Sequence, residues 1–153
     1  MDLDAPIDRY ADGPAEVDRA LESITDEELD RSPADSGWTA RQVAHHLADS
    51  ETNSYVRLRR LVAEDDVEIV GYDQDEWAVR LHYDRPIEPS LAVLRAVRAA
   101  STDLLRSLSP RDFDRTGKHS ESGEYGVRTW LAIYADHAHD HADQIRRARR
   151  ERT

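Results

Sequence analysis

Apolar positions recur every three or four residues along most of this chain, the spacing that places them on one face of a helix. Val17, Leu21 and Ile24 form the first such stripe. Pro14 is placed to start that helix, because a missing amide is harmless in a first turn, and residues 1–13 read as a loosely held leader. Glu27 to Asp35 reads as a helix end and a loop punctuated by Pro33. A second helix is predicted from about Thr39 to Val62, anchored by Val43, Leu47, Leu58 and Leu61. Ser50 and Ser54 keep one side of it narrow, which costs packing unless something fills the space. Residues 65–74 connect to a shorter helix through Trp77 and Leu81, capped by Asp73 with Glu76 three residues on, as in a capping box. Pro86 and Pro89 interrupt the next region. A third long helix fits 90–108, with Leu91, Leu94 and Leu105 inward, and Ser109-Pro110 ends it. Residues 116–126 hold three glycines and no clear period, so they read as a loop with room for an extended piece. The last helix runs from near Gly126 to about Arg150, with Val127, Trp130, Leu131, Tyr134, Ala138, Ala142 and Ile145 as its inward stripe.

Four stripes of this length are buried most simply as an all-α four-helix bundle, with an additional short helix and long connections. The 153 residues suit one domain spanning 1–153. There is no cysteine, so any metal site must use nitrogen and oxygen ligands. No stretch approaches the roughly 20 apolar residues of a membrane helix. The start lacks the basic and apolar regions of a secretory signal, and a soluble cytoplasmic protein with no membrane partner is the expectation. The net charge of -11 repels phosphate backbones and argues against nucleic acid as a partner. Local arginine groups exist at Arg57, Arg59 and Arg60, and from Arg146 to Arg150, while Lys118 is the only lysine.

The histidines carry the chemistry. His137 and His141 are four apart on the last helix, so both project from one edge, and they extend the inward stripe. Two imidazoles inside a bundle need partners, and a shared cation supplies one. The ordinary readings are a pair of satisfied core histidines or a partly exposed helix edge. His139 falls beside Asp136 and Asp143 on the polar side and reads as a surface residue. A third ligand must come from another helix, where His45 and His46 are adjacent. His46 lies three residues after Val43 and four before Ser50, on the packed side; His45 points about 100° away toward Asp49 and Thr52. Geometry favours His46, with His45 as the alternative. Three histidines leave a position for water or substrate, as catalytic zinc sites do. Ser50 and Asn53, one and two turns beyond His46, are placed to hydrogen-bond a substrate or a metal-bound water, and Asp49 or Asp140 to orient an imidazole. Serine and asparagine more often pack or cap. His82 and His119 lack a second donor at a matching interval.

Three segments together, GWTARQVAHHLADSETNSYVRLRRL, GYDQDEWA and EYGVRTWLAIYADHAHDHADQI, resemble the DinB-like superfamily, and within it the YfiT-like branch of metal-dependent hydrolases. The resemblance spans roughly residues 14–148. It implies a four-helix bundle of distinctive connectivity, a homodimer, and one zinc or nickel ion per chain. Its first ligand position matches His46, eight residues past Trp38, and the other two match His137 and His141. The implied reaction is hydrolysis of a small-molecule substrate by metal-bound water. Some relatives are thiol S-transferases using bacillithiol, mycothiol or glutathione, so a low-molecular-weight thiol cofactor is the alternative. A metal-stabilised binding protein without activity is the third reading.

Overall fold

The computed structural model describes residues 2–150. In chain order its elements are α1 (Asp4–Ala20), α2 (Asp26–Leu29), α3 (Ala40–Ala63), β1 (Glu68–Ile69), α4 (Gln74–Arg80), α5 (Glu88–Ser107), a 3-10 turn (Asp112–Asp114), β2 (Thr116–His119), β3 (Gly123–Gly126) and α6 (Val127–Ala148). The four long helices form the bundle. α1 packs on α6 and α5, and α3 packs on the same two. The successive long helices α1 and α3 therefore sit across a diagonal, as do α5 and α6. Diagonal steps need long connections, and these hold α2 in one case and the β2–β3 hairpin in the other.

Local signals explain the long helices. The Thr39 hydroxyl accepts the Gln42 amide at 3.2 Å and the Gln42 side chain accepts the Thr39 amide at 2.9 Å, a reciprocal cap that fixes where α3 starts. At α4, Asp73 accepts the Glu76 amide at 3.0 Å, but the Glu76 carboxylate turns to Arg80 instead of closing the box. Pro89 stands in the first turn of α5, where its missing amide is tolerated.

Four expectations are corrected or extended. Of the expected leader, Met1 lies outside the described residues; from Asp4 onward the segment is helical, with Ile7, Tyr10 and Gly13 buried. Pro14 lies inside α1 rather than at its start. Its absent N–H would have bonded the Tyr10 carbonyl. That carbonyl instead accepts Nη1 of Arg98 at 2.7 Å, so a tertiary donor replaces the missing helical one. The region read as a helix end and loop holds a separate four-residue helix, α2, closed by a Thr25–Glu28 capping box. The glycine-rich loop is an antiparallel hairpin pairing Thr116 with Gly126 and His119 with Gly123. β1, from the connector after α3, adds parallel to β2.

The buried interior falls into two apolar blocks with a polar layer between them. One holds Val17, Val43, Leu47, Leu94, Ala138 and Ile145. The other holds Ile7, Tyr10, Leu58, Leu105, Trp130 and Tyr134. All four helices change character at the same level: Gly13-Pro14 on α1, Ser50 to Ser54 on α3, Arg98 and Ser101 on α5, His137 on α6. A Cβ on Gly13 would stand 2.8 Å from the Ala138 Cβ and 3.0 Å from Arg98 Nη1. Gly13→Ala is therefore expected to destabilise, since overpacking of about 1–3 kcal/mol outweighs the helix-propensity gain of about 1 kcal/mol. A lowered urea midpoint with an unchanged slope would report it.

Candidate metal centre

Two helices deliver three imidazoles to the edge of the polar layer. α3 carries His46, and α6 carries His137 and His141 one turn apart. The ring centroids of His137 and His141 lie 4.5 Å apart; His46 is 4.7 Å from His141 and 5.7 Å from His137. One nitrogen from each ring falls within 4.8 Å of the others. A tetrahedral ion bonded at about 2.0–2.1 Å needs nitrogens about 3.4 Å apart, so modest ring rotation closes the set.

The neighbours decide which nitrogens are free. His137 Nδ1 lies 3.0 Å from Glu51 Oε1; a carboxylate can only accept, so Nδ1 carries the proton and Nε2 keeps its lone pair. His141 Nδ1 donates to Gln144 Oε1 at 2.7 Å with the same consequence. His46 is buried, and its Nδ1 has no hydrogen-bond partner. A buried imidazole with an unpaired nitrogen, packed against two rings oriented through Nδ1, is an arrangement a cation would satisfy. Burial, and then the charges of the neighbouring imidazoles, push His46 down to about 3 and His141 down to about 4, so both are neutral at physiological pH. A nitrogen-only donor set fits divalent transition metals. Among the described residues the other close group of ligand-type side chains, Asp12, Glu16 and His139, lies nearer the surface, and its Glu16 is engaged by Arg19 and Arg146.

Comparison with known proteins places the chain in a family. The DinB superfamily profile matches residues 9–145. The chain belongs to the DinB superfamily. An Oceanobacillus iheyensis protein described as a "putative metal-dependent hydrolase" is 41% identical over 91% of this chain and 81% of its own length. A Bacillus mycoides relative with the same description is 34% identical over 94% of this chain and 83% of its own length. Among solved structures, YfiT from Bacillus subtilis is described as a "probable metal-dependent hydrolase with an unusual four-helix bundle topology". It superposes with a TM-score of 0.87 at 35% identity, covering 93% of this chain and 82% of YfiT. The diagonal order of helices described above is the connectivity this DinB-superfamily chain shares with it.

The remaining sequence candidates of this DinB-superfamily chain are dispersed around the triad. Ser50 Oγ lies 3.4 Å from His137 Nε2 and, given the tautomer, is the donor. Asn53 donates its amide to the Asp49 carbonyl at 2.8 Å, one turn back in its own helix. The Asp49 carboxylate accepts the Tyr83 hydroxyl at 2.5 Å. Asp140 is exposed. His45 is a satisfied core histidine. Its Nε2 donates to the Arg85 carbonyl at 2.8 Å, so Nδ1 accepts from Ser90 at 2.7 Å and no lone pair is left for an ion. His139 donates Nε2 to the Arg9 carbonyl at 2.9 Å.

Sequence reasoning gave no site role to Glu51, Arg98 or Gln144, and read Tyr134 only as part of the inward stripe. Glu51 is fully buried and also accepts Nε and Nη2 of Arg98 at 3.0 and 2.6 Å. Burial alone would raise its pKa, but Arg98 and His137 hold it below the usual carboxylate value, so it stays ionised. A signal was present. Glu51 sits four residues after Leu47 and seven before Leu58, and Arg98 four after Leu94 and seven before Leu105. Two opposite charges at buried-stripe positions of two helices are a prospective ion pair.

Protonation opposes this packing. His46 and His141 titrate lower folded than unfolded, so the unfolded chain binds more protons below pH 6.5. Metal-free protein should be fully supported by them above pH 6.5 and lose that support as pH falls toward about 4 and then 3. Urea midpoints between pH 7 and 4.5, above the ordinary carboxylate range, read the effect, to which His45, also lowered by burial, adds in the same direction. The slope should flatten in the His46→Asn, His141→Asn double variant; an unchanged slope would place its origin elsewhere.

Proposed function

We propose that this chain is a hydrolase acting on a small-molecule substrate through one divalent transition metal, zinc or nickel, held by His46, His137 and His141. The observation that carries the reading is the convergence of three imidazoles, with His137 and His141 oriented through Nδ1 so that Nε2 is the nitrogen offered to an ion. When bound, such an ion would polarise a carbonyl or phosphoryl oxygen and make water a nucleophile at neutral pH. The chain supplies the rest. Glu51 orients His137, and Gln144 orients His141. Trp38 lies against the His46 ring at 4.7 Å between centroids and limits water on that side. Ser50 offers a hydroxyl at the free face of His137, where it can bond a substrate oxygen. The His137 side chain keeps 16% exposure, which gives solvent and substrate a route that a purely structural ion would not need.

The test is a set of activated esters and amides assayed with protein purified without chelators. Turnover that falls with metal removal and returns with one equivalent of zinc or nickel supports the reading. Equal turnover by metal-free protein rejects it, and turnover that appears only with added bacillithiol, mycothiol or glutathione assigns thiol transfer instead.

A further inference from the structure

Along α3, residues 46, 50, 53 and 57 are spaced by four, three and four, and so share one face. The first is a member of the triad and the second bonds His137. The last is Arg57, two turns beyond Ser50 on that face. Arg41, Arg60, Arg95 and Arg115 each meet a carboxylate. Arg57 meets none among the described residues, although the chain carries a net charge of -11; its Nη2 donates instead to the Val70 carbonyl at 3.0 Å. Its other neighbours are phenols, Tyr125, Tyr134 and Tyr72, whose ionised forms its charge favours. These phenols border the triad, since the Tyr134 ring lies 5.2 Å from His137. Tyr72 comes from the Gly71-Tyr72-Asp73 segment, leans on Trp77 at 4.3 Å, and buries its hydroxyl beside Ser50 without a hydrogen bond of normal geometry. An unneutralised guanidinium and an unpaired phenol on one wall are both donors awaiting an acceptor.

We infer that Arg57 with the Tyr72 and Tyr134 hydroxyls forms an anion subsite beside the triad, and that the substrate carries a carboxylate or phosphate at the end away from the bond that is cleaved. This rests on reading the triad as the reactive centre. Isothermal titration of the purified protein with glutarate, methyl phosphate and neutral glutaramide tests it, in wild type, Arg57→Gln and Arg57→Lys. One or both anions should bind wild type and glutaramide should not. Arg57→Gln should weaken the anion about tenfold or more, the worth of a charge-assisted bond, and Arg57→Lys by less. The tighter of the two anions names the class. Unchanged anion affinity in Arg57→Gln, equal binding of glutaramide, or no binding of either anion overturns the subsite. Metal content and metal-dependent ester turnover, measured on the same samples, separate the two ideas. A metal-dependent hydrolase indifferent to Arg57 sinks the subsite alone, whereas Arg57-dependent anion binding without metal-dependent turnover sinks the hydrolase.

Discussion

The Arg98→Met variant is expected to lose about 3–5 kcal/mol of folding stability, the cost of leaving a buried charge without its partner. Arg98 and Glu51 are 1% and 0% exposed, and no water-facing route lets Glu51 recover its hydration. The loss extends beyond the pair. Arg98 also supplies the donor that Pro14 denies the Tyr10 carbonyl, and its guanidinium lies 3.9 Å over the Tyr10 ring. The Arg98→Met, Glu51→Leu double variant should regain much of the stability, because replacing both members of a buried pair by apolar groups of similar size is often neutral. It should not regain metal affinity. His137 then has no acceptor for Nδ1, its tautomer is no longer held, and affinity should drop roughly 10–100-fold. Urea unfolding and competition with a metal-binding dye read the two quantities separately. A double variant that is as unstable as Arg98→Met would mean that the ion pair is not the main source of the loss. One that binds metal as wild type does would mean that Glu51 does not orient His137.

The same layer shows what periodicity can and cannot convey. The stripes of α3, α5 and α6 are legible because burial on one face imposes a period of three to four, and the predicted ends fall close to the observed ones. α1 is misread at Gly13-Pro14, a pair that breaks an isolated helix and is tolerated here only because Arg98, on α5, fills the missing bond. No local pattern contains that donor. The hairpin is hidden for a related reason. Gly117 stands where a Cβ would come within 2.6 Å of the Val67 carbonyl, so the close approach of β1 removes the side chain that would have marked alternation. The diagonal helix order is not legible either, since a stripe says that a face is buried and not against which neighbour. At the candidate centre, spacing alone brings His137 and His141 together and favours His46. The choice between His45 and His46 becomes chemical only when Arg85 and Ser90, from a distant turn and helix, occupy both nitrogens of His45.

Substitution within that histidine set should separate ligands from bystanders. His46→Ala, His137→Ala and His141→Ala are each expected to abolish retention of one equivalent of metal through gel filtration, because two imidazoles without a carboxylate or thiolate form an incomplete site. Activity should fall with the metal. The three variants should not lose stability equally in the metal-free state. His46→Ala removes a buried ring whose Nδ1 has no partner, so the lost packing is partly offset by relief of that unpaired group. His137→Ala instead strips a hydrogen bond from ionised, buried Glu51, and should cost more. His45→Ala reverses the pattern. It breaks two buried hydrogen bonds, at Arg85 and Ser90, and should destabilise by about 1–3 kcal/mol while the metal content stays at one equivalent. Loss of metal in His45→Ala alongside retention in His46→Ala would move the third ligand by one residue. Retention of a full equivalent by all three triad variants would show that the ion, and the hydrolysis assigned to it, belong to some other set of side chains.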